Sequence, residues 1–177
     1  MSYNINSIKM IISDIDGVWT DGCVYIGNEN YEMKKFNVND GAGVALLRVS
    51  GIKLALISGR KSVATELRAA ELKIEDLYNG TLNKIIPYEE LKLKYNLKDS
   101  EIAYVGDDLI DIPVMEKVAV PIATQNAVDL CKKASVHVTD KQGGEGAFRE
   151  AVEWILNEQG RLEQVILKLK NKVFEQK

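Results

Sequence analysis

Residues 8–22 decide the fold: Ile8-Lys9-Met10-Ile11-Ile12-Ser13, then Asp14-Ile15-Asp16-Gly17-Val18-Trp19-Thr20-Asp21-Gly22. The first six form a short apolar run of strand length. It breaks into carboxylates and glycines. Residues two apart on an extended chain face the same way, so Asp14 and Asp16 can project together while Gly17 permits the turn. Two carboxylates held this close repel each other unless a cation or a shared proton relieves them. A solvated loop of turn-forming Asp and Gly is the plain alternative, so other strand ends have to decide.

The same pattern recurs downstream. Residues 53–57 and 102–105 read as strands, with shorter candidates at 118–122 and 136–138. Helical periodicity fills residues 43–49, 63–72, 86–95, 112–117 and 127–133 between them. This alternation predicts an α/β fold, a three-layer, doubly wound parallel sheet covered on both faces. Such sheets bind ligands beyond the carboxyl ends of their strands.

The residues after the other runs fit that placement. Ser58-Gly59-Arg60 offers a hydroxyl, a flexible backbone and a guanidinium, a set suited to anionic oxygens. A helix starting near Ser62 would aim its N–H groups the same way. Gly106-Asp107-Asp108-Leu109-Ile110-Asp111 is a second carboxylate cluster. Lys84, at the head of a helix, would by itself be a surface lysine; its company gives it standing.

Composition narrows the chemistry. The chain has 177 residues, 46% hydrophobic and 28% charged, which excludes a disordered or collagenous chain. A net charge of −3 gives no footprint for nucleic acid. No apolar segment approaches the roughly 20 residues needed to span a bilayer, and the polar start does not read as a secretory signal. The two cysteines, Cys23 and Cys131, lack a disulfide framework and suit a reducing cytoplasm. With one histidine, His137, against 26 Asp and Glu, an enzyme here works with aspartates and a hard cation. Oxygen-only ligands favour Mg²⁺. Asp14 can then attack phosphorus. Asp16 can protonate the leaving oxygen and later deprotonate the attacking water, while Mg²⁺, Lys84 and Ser58 neutralise the phosphoryl oxygens.

Two segments depart from the alternation. Residues 23–36 read as a β-hairpin with a polar turn at Gly27-Asn28-Glu29-Asn30. An isolated hairpin is marginal in water, so it must pack on something, another subunit included. After a helical segment at 147–156, Leu162, Val165, Ile166, Leu169 and Val173 recur at helical spacing beyond Gly160. They form a C-terminal helical extension over about 161–177, which could pack on its own domain or on another copy.

Asp14-Ile15-Asp16-Gly17-Val18, Ser58, Lys84 and Gly106-Asp107-Asp108-Leu109-Ile110-Asp111 resemble, in order, the four motifs of the haloacid dehalogenase superfamily of phosphotransferases. Phe36-Asn37-Val38-Asn39-Asp40-Gly41 and the glycine-rich segment 143–150 narrow the resemblance to its capless phosphatases of 3-deoxy-D-manno-octulosonate (KDO) 8-phosphate. The resemblance implies a single Rossmann-like domain over 1–177 and a cytoplasmic, Mg²⁺-dependent homotetramer acting on a phosphorylated sugar acid. It implies Asp14 as nucleophile and metal ligand, and Asp16 as acid/base with its carbonyl on the metal. Asp107 is the third ligand, with Asp108 and Asp111 behind it. Ser58, Gly59 and Lys84 would hold phosphate, and Thr20 and Arg60 the substrate; Arg149 is a further candidate. The extension at 161–177 departs from the family, which commonly ends in a short tail near an adjacent site. Nine-carbon keto-acid 9-phosphates are an alternative substrate class. A non-hydrolysing phosphoacceptor or scaffold module is another reading, against which Asp16 argues, because a second carboxylate serves turnover.

Overall fold

The computed structural model describes residues 4–175. Six parallel strands form the main sheet: β1 (Met10–Ser13), β4 (Lys53–Ser58), β5 (Asp76–Asn79), β6 (Ile102–Gly106), β7 (Val120–Ala123) and β8 (His137–Val138). Their spatial order is β5-β4-β1-β6-β7-β8, with β1 central. A separate antiparallel pair, β2 (Tyr25–Ile26) and β3 (Glu32–Met33), is the hairpin. The helices are α1 (Val38–Ser50), α2 (Val63–Glu71), α3 (Ile85–Tyr95), α4 (Ile112–Met115), α5 (Asp129–Ala134), α6 (Ala147–Glu158) and α7 (Leu162–Glu175).

The strands alternate their side chains between two apolar layers, as the pleat requires. Ile11 faces a core shared with Leu46, Leu47, Phe148, Val152 and Ile155. Met10 and Ile12 face the other layer, with Tyr88, Leu91, Val114 and Cys131. All four β1 residues are buried, so a near-continuous apolar run is what a central parallel strand needs. Among the described residues no helix is long and apolar enough to cross a membrane.

Three expectations are corrected by the structure. Strand β5 escaped notice because Asp76-Leu77-Tyr78-Asn79 is an edge strand with polar ends. Helix α1 begins at Val38, five residues before its expected start, capped by the Asn37 side chain accepting from the Asn39 N–H. Gly41 and Gly43 disguised it by lowering helix propensity. Gly43 is there for packing: a Cβ would meet Arg149 Cα at 3.2 Å, where α1 crosses α6. The hairpin strands have only two residues each, around a turn with Glu29 at φ +61°.

Helix α7 packs on its own domain. Val165 is buried, and Leu162, Ile166 and Leu169 lie against the first core layer beside α1 and α6. The Val173 side chain and residues 176–177 of the expected extension lie outside the described residues.

Candidate active site

The carboxyl ends of β1, β4 and β6 meet at one edge of the sheet, as their parallel registers dictate. There Asp14, Asp16, Gly59, Arg60, Asp107 and Asp108 line an open cleft of about 470 Å³. The hairpin reaches it through Val24, and Leu82 and Ile110 close its sides.

Lys84 lies at the centre of the buried part. Its Nζ is 2.6 Å from Asp14 Oδ1 and 2.6 Å from Asp111 Oδ1, with no side-chain exposure. The expectation of a solvated lysine holds only in isolation. Burial opposes its charge, but the Asp14 and Asp111 carboxylates hold its pKa above the usual lysine value. Asp111 is fully engaged by the protein. Oδ1 also accepts from the Tyr104 hydroxyl at 2.6 Å, and Oδ2 accepts from the Asp107 and Asp108 N–H groups at 3.0 and 3.1 Å. Its bonds shape the loop after β6 and present Asp107.

Asp14, Asp107 and Asp111 each bring a carboxylate oxygen within 4.8 Å of the others. Burial first, then the Asp111 charge, pushes the Asp14 pKa up to about 7 against the pull of Lys84. Burial first, then Asp14 and Asp111, pushes Asp107 up to about 9. Asp107 Oδ1 is buried with no hydrogen-bond partner among the described residues. Three carboxylates beside one ammonium leave negative charge in excess, and every free donor atom is a hard oxygen. The set therefore fits a small divalent cation such as Mg²⁺.

Glycine makes this approach possible. Gly17 has φ +89°, and a Cβ on it would lie 1.9 Å from Asp107 Oδ2. Behind it, a Cβ on Gly143 would lie 1.9 Å from the Gly17 carbonyl oxygen, and the Gly144 N–H donates to the Val18 carbonyl. The glycine-rich segment thus buttresses the first loop.

Asp16 sits apart from the buried cluster. Its carboxylate meets Lys34 of the hairpin at 2.7 and 2.8 Å, one contact to each oxygen. Ser58 Oγ is 3.5 Å from Asp16 Oδ2 and donates to the Arg60 carbonyl at 2.8 Å. The Arg60 guanidinium pairs with Glu32 of β3, whose other oxygen accepts from the Ser62 hydroxyl. Asp108 is exposed and accepts from the Leu109 N–H.

Thr20 requires a correction. It is fully buried, and its hydroxyl accepts from the Gly17 and Gly22 N–H groups, 3.5 Å from Asp16 Oδ1. It holds the loop from within and does not line the cleft. Arg149 is likewise committed elsewhere, paired with Glu153 on α6. His137 stacks on Trp154 with centroids 4.2 Å apart, its pKa lowered by burial.

Two residues in this arrangement have no motif to announce them. Lys34 follows the hairpin's second strand, and no residue type or spacing there marks it for the site. Tyr104 hid inside an apolar strand as a core aromatic.

Residues 70–150 match the family of haloacid dehalogenase-like hydrolases. The 3-deoxy-D-manno-octulosonate 8-phosphate phosphatases of Salmonella typhi and Escherichia coli K12 are each 44% identical over 158 residues. Those alignments span 89% of this chain and 84% of each relative. The chain belongs to the KDO 8-phosphate phosphatase family. The crystal structure of the Yersinia pestis member of that family superposes with a TM-score of 0.87 at 42% identity, covering 90% of this chain and 86% of that one. The Moraxella catarrhalis enzyme, in complex with a magnesium ion, a phosphate ion and KDO, gives 0.88 at 36% identity, covering 92% and 94%.

Proposed function

We propose that this chain is a Mg²⁺-dependent phosphomonoesterase that converts KDO 8-phosphate to KDO and phosphate. The observation that carries the reading is the cluster of Asp14, Asp107 and Asp111 around Lys84, with one buried Asp107 oxygen unpartnered. Family membership supplies the substrate class. The whole chain, 1–177, works as one hydrolase domain with the hairpin and C-terminal helix as appendages.

Asp14, the Asp16 carbonyl and Asp107 would hold the Mg²⁺, with Asp108 and Asp111 supporting the loop that presents them. When bound, the cation relieves the carboxylate repulsion and neutralises phosphoryl oxygens. The residues perform the rest. An Asp14 carboxylate oxygen forms a bond to phosphorus as the ester P–O bond breaks. The leaving oxygen keeps that electron pair and takes a proton from Asp16. Asp16 then removes a proton from water, whose oxygen bonds to phosphorus while the bond to Asp14 breaks. Ser58, the Gly59 backbone and Lys84 steady the phosphoryl group, and Arg60 meets the sugar acid's anionic groups.

Two further parts of the proposal concern assembly and place. Val24, Tyr25, Ile26, Tyr31 and Met33 leave the hairpin with an exposed apolar surface, which supports a homotetramer built on hairpin contacts. The chain works in the cytoplasm, consistent with its free thiols at Cys23 and Cys131. Light scattering that returns a monomer at working concentration contradicts the assembly.

Activity is tested with a panel of phosphorylated sugars ranked by kcat/KM. The eight-carbon 2-keto acid should lead. A nine-carbon acid in first place moves the assignment to that substrate. Simple sugar phosphates above both acids overturn it.

A further inference from the structure

Strand β3 is short and lies outside the four motifs that supply the carboxylate cluster, yet the residue that follows it, Lys34, has a side chain only 1% exposed. A lysine is rarely buried without a partner. Around β3 the side chains fall into two sets, Glu32 and Lys34 against Tyr31 and Met33. The second pair is open, at 63% and 50% exposure. The first pair turns inward: Glu32 to Arg60 and Ser62, Lys34 to Asp16 and Thr65.

The geometry at Lys34 is complete. An ammonium has three N–H donors and no acceptor. Here Nζ lies 2.7 Å from Asp16 Oδ1, 2.8 Å from Asp16 Oδ2 and 3.3 Å from Thr65 Oγ1. Thr65 is itself buried on α2. The carboxylate is therefore gripped on both oxygens by a group anchored to a helix. The other hydroxyls near it, Ser58 and Thr20, stand at 3.5 Å and hold it far less tightly. Lys34 lines the neighbouring groove with Tyr31, Glu32 and Met33, whereas Asp16 lines the cleft that Asp14 and Asp107 share. Lys34 thus reaches Asp16 from behind and does not enter the space a phosphoryl group would fill.

We propose that Lys34 is a positioning residue for the reaction, the hairpin's means of aiming the Asp16 carboxyl at the leaving oxygen. The inference rests on the acid/base role given to Asp16 above. It makes the catalytic geometry depend on an element outside the sheet.

The test separates proton delivery from structural support. An aryl phosphate such as p-nitrophenyl phosphate has a leaving group that departs without protonation; an alkyl ester such as KDO 8-phosphate does not. Alcohol release is followed in single turnovers with the Mg²⁺-loaded enzyme in excess. K34M should slow alkyl release at least tenfold, change aryl release less than threefold, and leave the steady-state KM for the alkyl ester within threefold. K34Q keeps a polar end for Thr65 and carries the same test if K34M does not fold. Equal losses on both substrates, or no loss on either, overturn the inference. D16N serves as the reference. If D16N also spares aryl release while K34M does not, Lys34 alone is misassigned. If D16N leaves the alkyl-to-aryl ratio unmoved, the role of Asp16 fails first and the inference falls with it.

Discussion

Two groups of charged side chains meet at the carboxyl edge of the sheet. One is carried by the sheet itself: Asp14 follows β1, Asp107 and Asp111 follow β6, and Lys84 heads α3. The other is brought by the hairpin: Lys34 on Asp16 and Glu32 on Arg60. The first is deeply buried and carries excess negative charge. The second matches each charge with its opposite, and Asp16 keeps 30% of its side chain exposed. The difference separates two kinds of precision. Asp14, the proposed nucleophile, is held in the buried cluster by Lys84, while Asp16, the proposed acid/base, is gripped by a lysine just beyond a two-residue strand. The sheet's group is incomplete without a cation; the hairpin's is complete as it stands.

The largest effect should come from Asp14, the proposed nucleophile. D14N should lower phosphate release by about 10⁴-fold or more, as loss of an attacking group does elsewhere. Its far-UV circular dichroism should stay unchanged. Undiminished release removes Asp14 from the chemistry and with it the division between the two groups.

Lysine removal compares the groups directly. K84M leaves Asp14 and Asp111 facing each other without their shared ammonium, so unfolding by urea without metal should show a loss of about 3–5 kcal/mol. K34M leaves Asp16, which can rehydrate, and should cost about 1–2 kcal/mol. Equal losses would mean that the burial of the partner carboxylates, 6% and 0% exposed for Asp14 and Asp111 against 30% for Asp16, does not set the cost.

The charge excess predicts a pH dependence. Asp14 and Asp107 sit at about 7 and about 9 in the folded chain, above the ordinary 3.8. The folded state therefore binds more protons than the unfolded one across that interval. Their contribution is fully present below the unfolded value and is lost as pH rises through 7 and 9. In chelator, stability should fall from pH 6 to pH 9, by at most about 1.4 kcal/mol per pH unit for each proton. Mg²⁺ should flatten the slope, and D107N should flatten it without metal. A metal-free melting temperature that rises over this range would contradict the charge excess.

The sheet's half of the cluster was legible because each of its carboxylates follows an apolar run, and sheet topology puts such positions together. Asp14, Ser58 and Asp107 could be placed from Ile8–Ser13 and its parallel partners alone. The hairpin's half was not. Nothing in the hairpin's sequence marks Lys34 and Glu32 as residues of the site, and only the tertiary path of the hairpin takes them inward. Thr20 misled for the related reason that a loop residue can face its own backbone. The start of helix α1 is hidden because Gly41 and Gly43 lower local propensity, Gly43 to pack against α6 and Gly41 to lie close to Leu72 and Arg68.

The smallest effect should come from the pair at the cleft's mouth. Arg60 and Glu32 are partly exposed, at 42% and 24% of their side chains, and such pairs are worth under about 1 kcal/mol. The Ser62 hydroxyl, together with Arg60, holds the Glu32 carboxyl below the usual range, so Glu32 competes as an anion for the guanidinium. E32Q removes that competitor and leaves a group of the same shape. Stability should move by less than about 1 kcal/mol, and KM for the sugar acid should fall by up to about fivefold, the same free energy expressed as affinity. The KM for p-nitrophenyl phosphate, which carries no second anion, should not change. A rise in KM for the sugar acid would mean that Glu32 holds Arg60 in its binding posture, and the hairpin would then place the substrate as well as the acid.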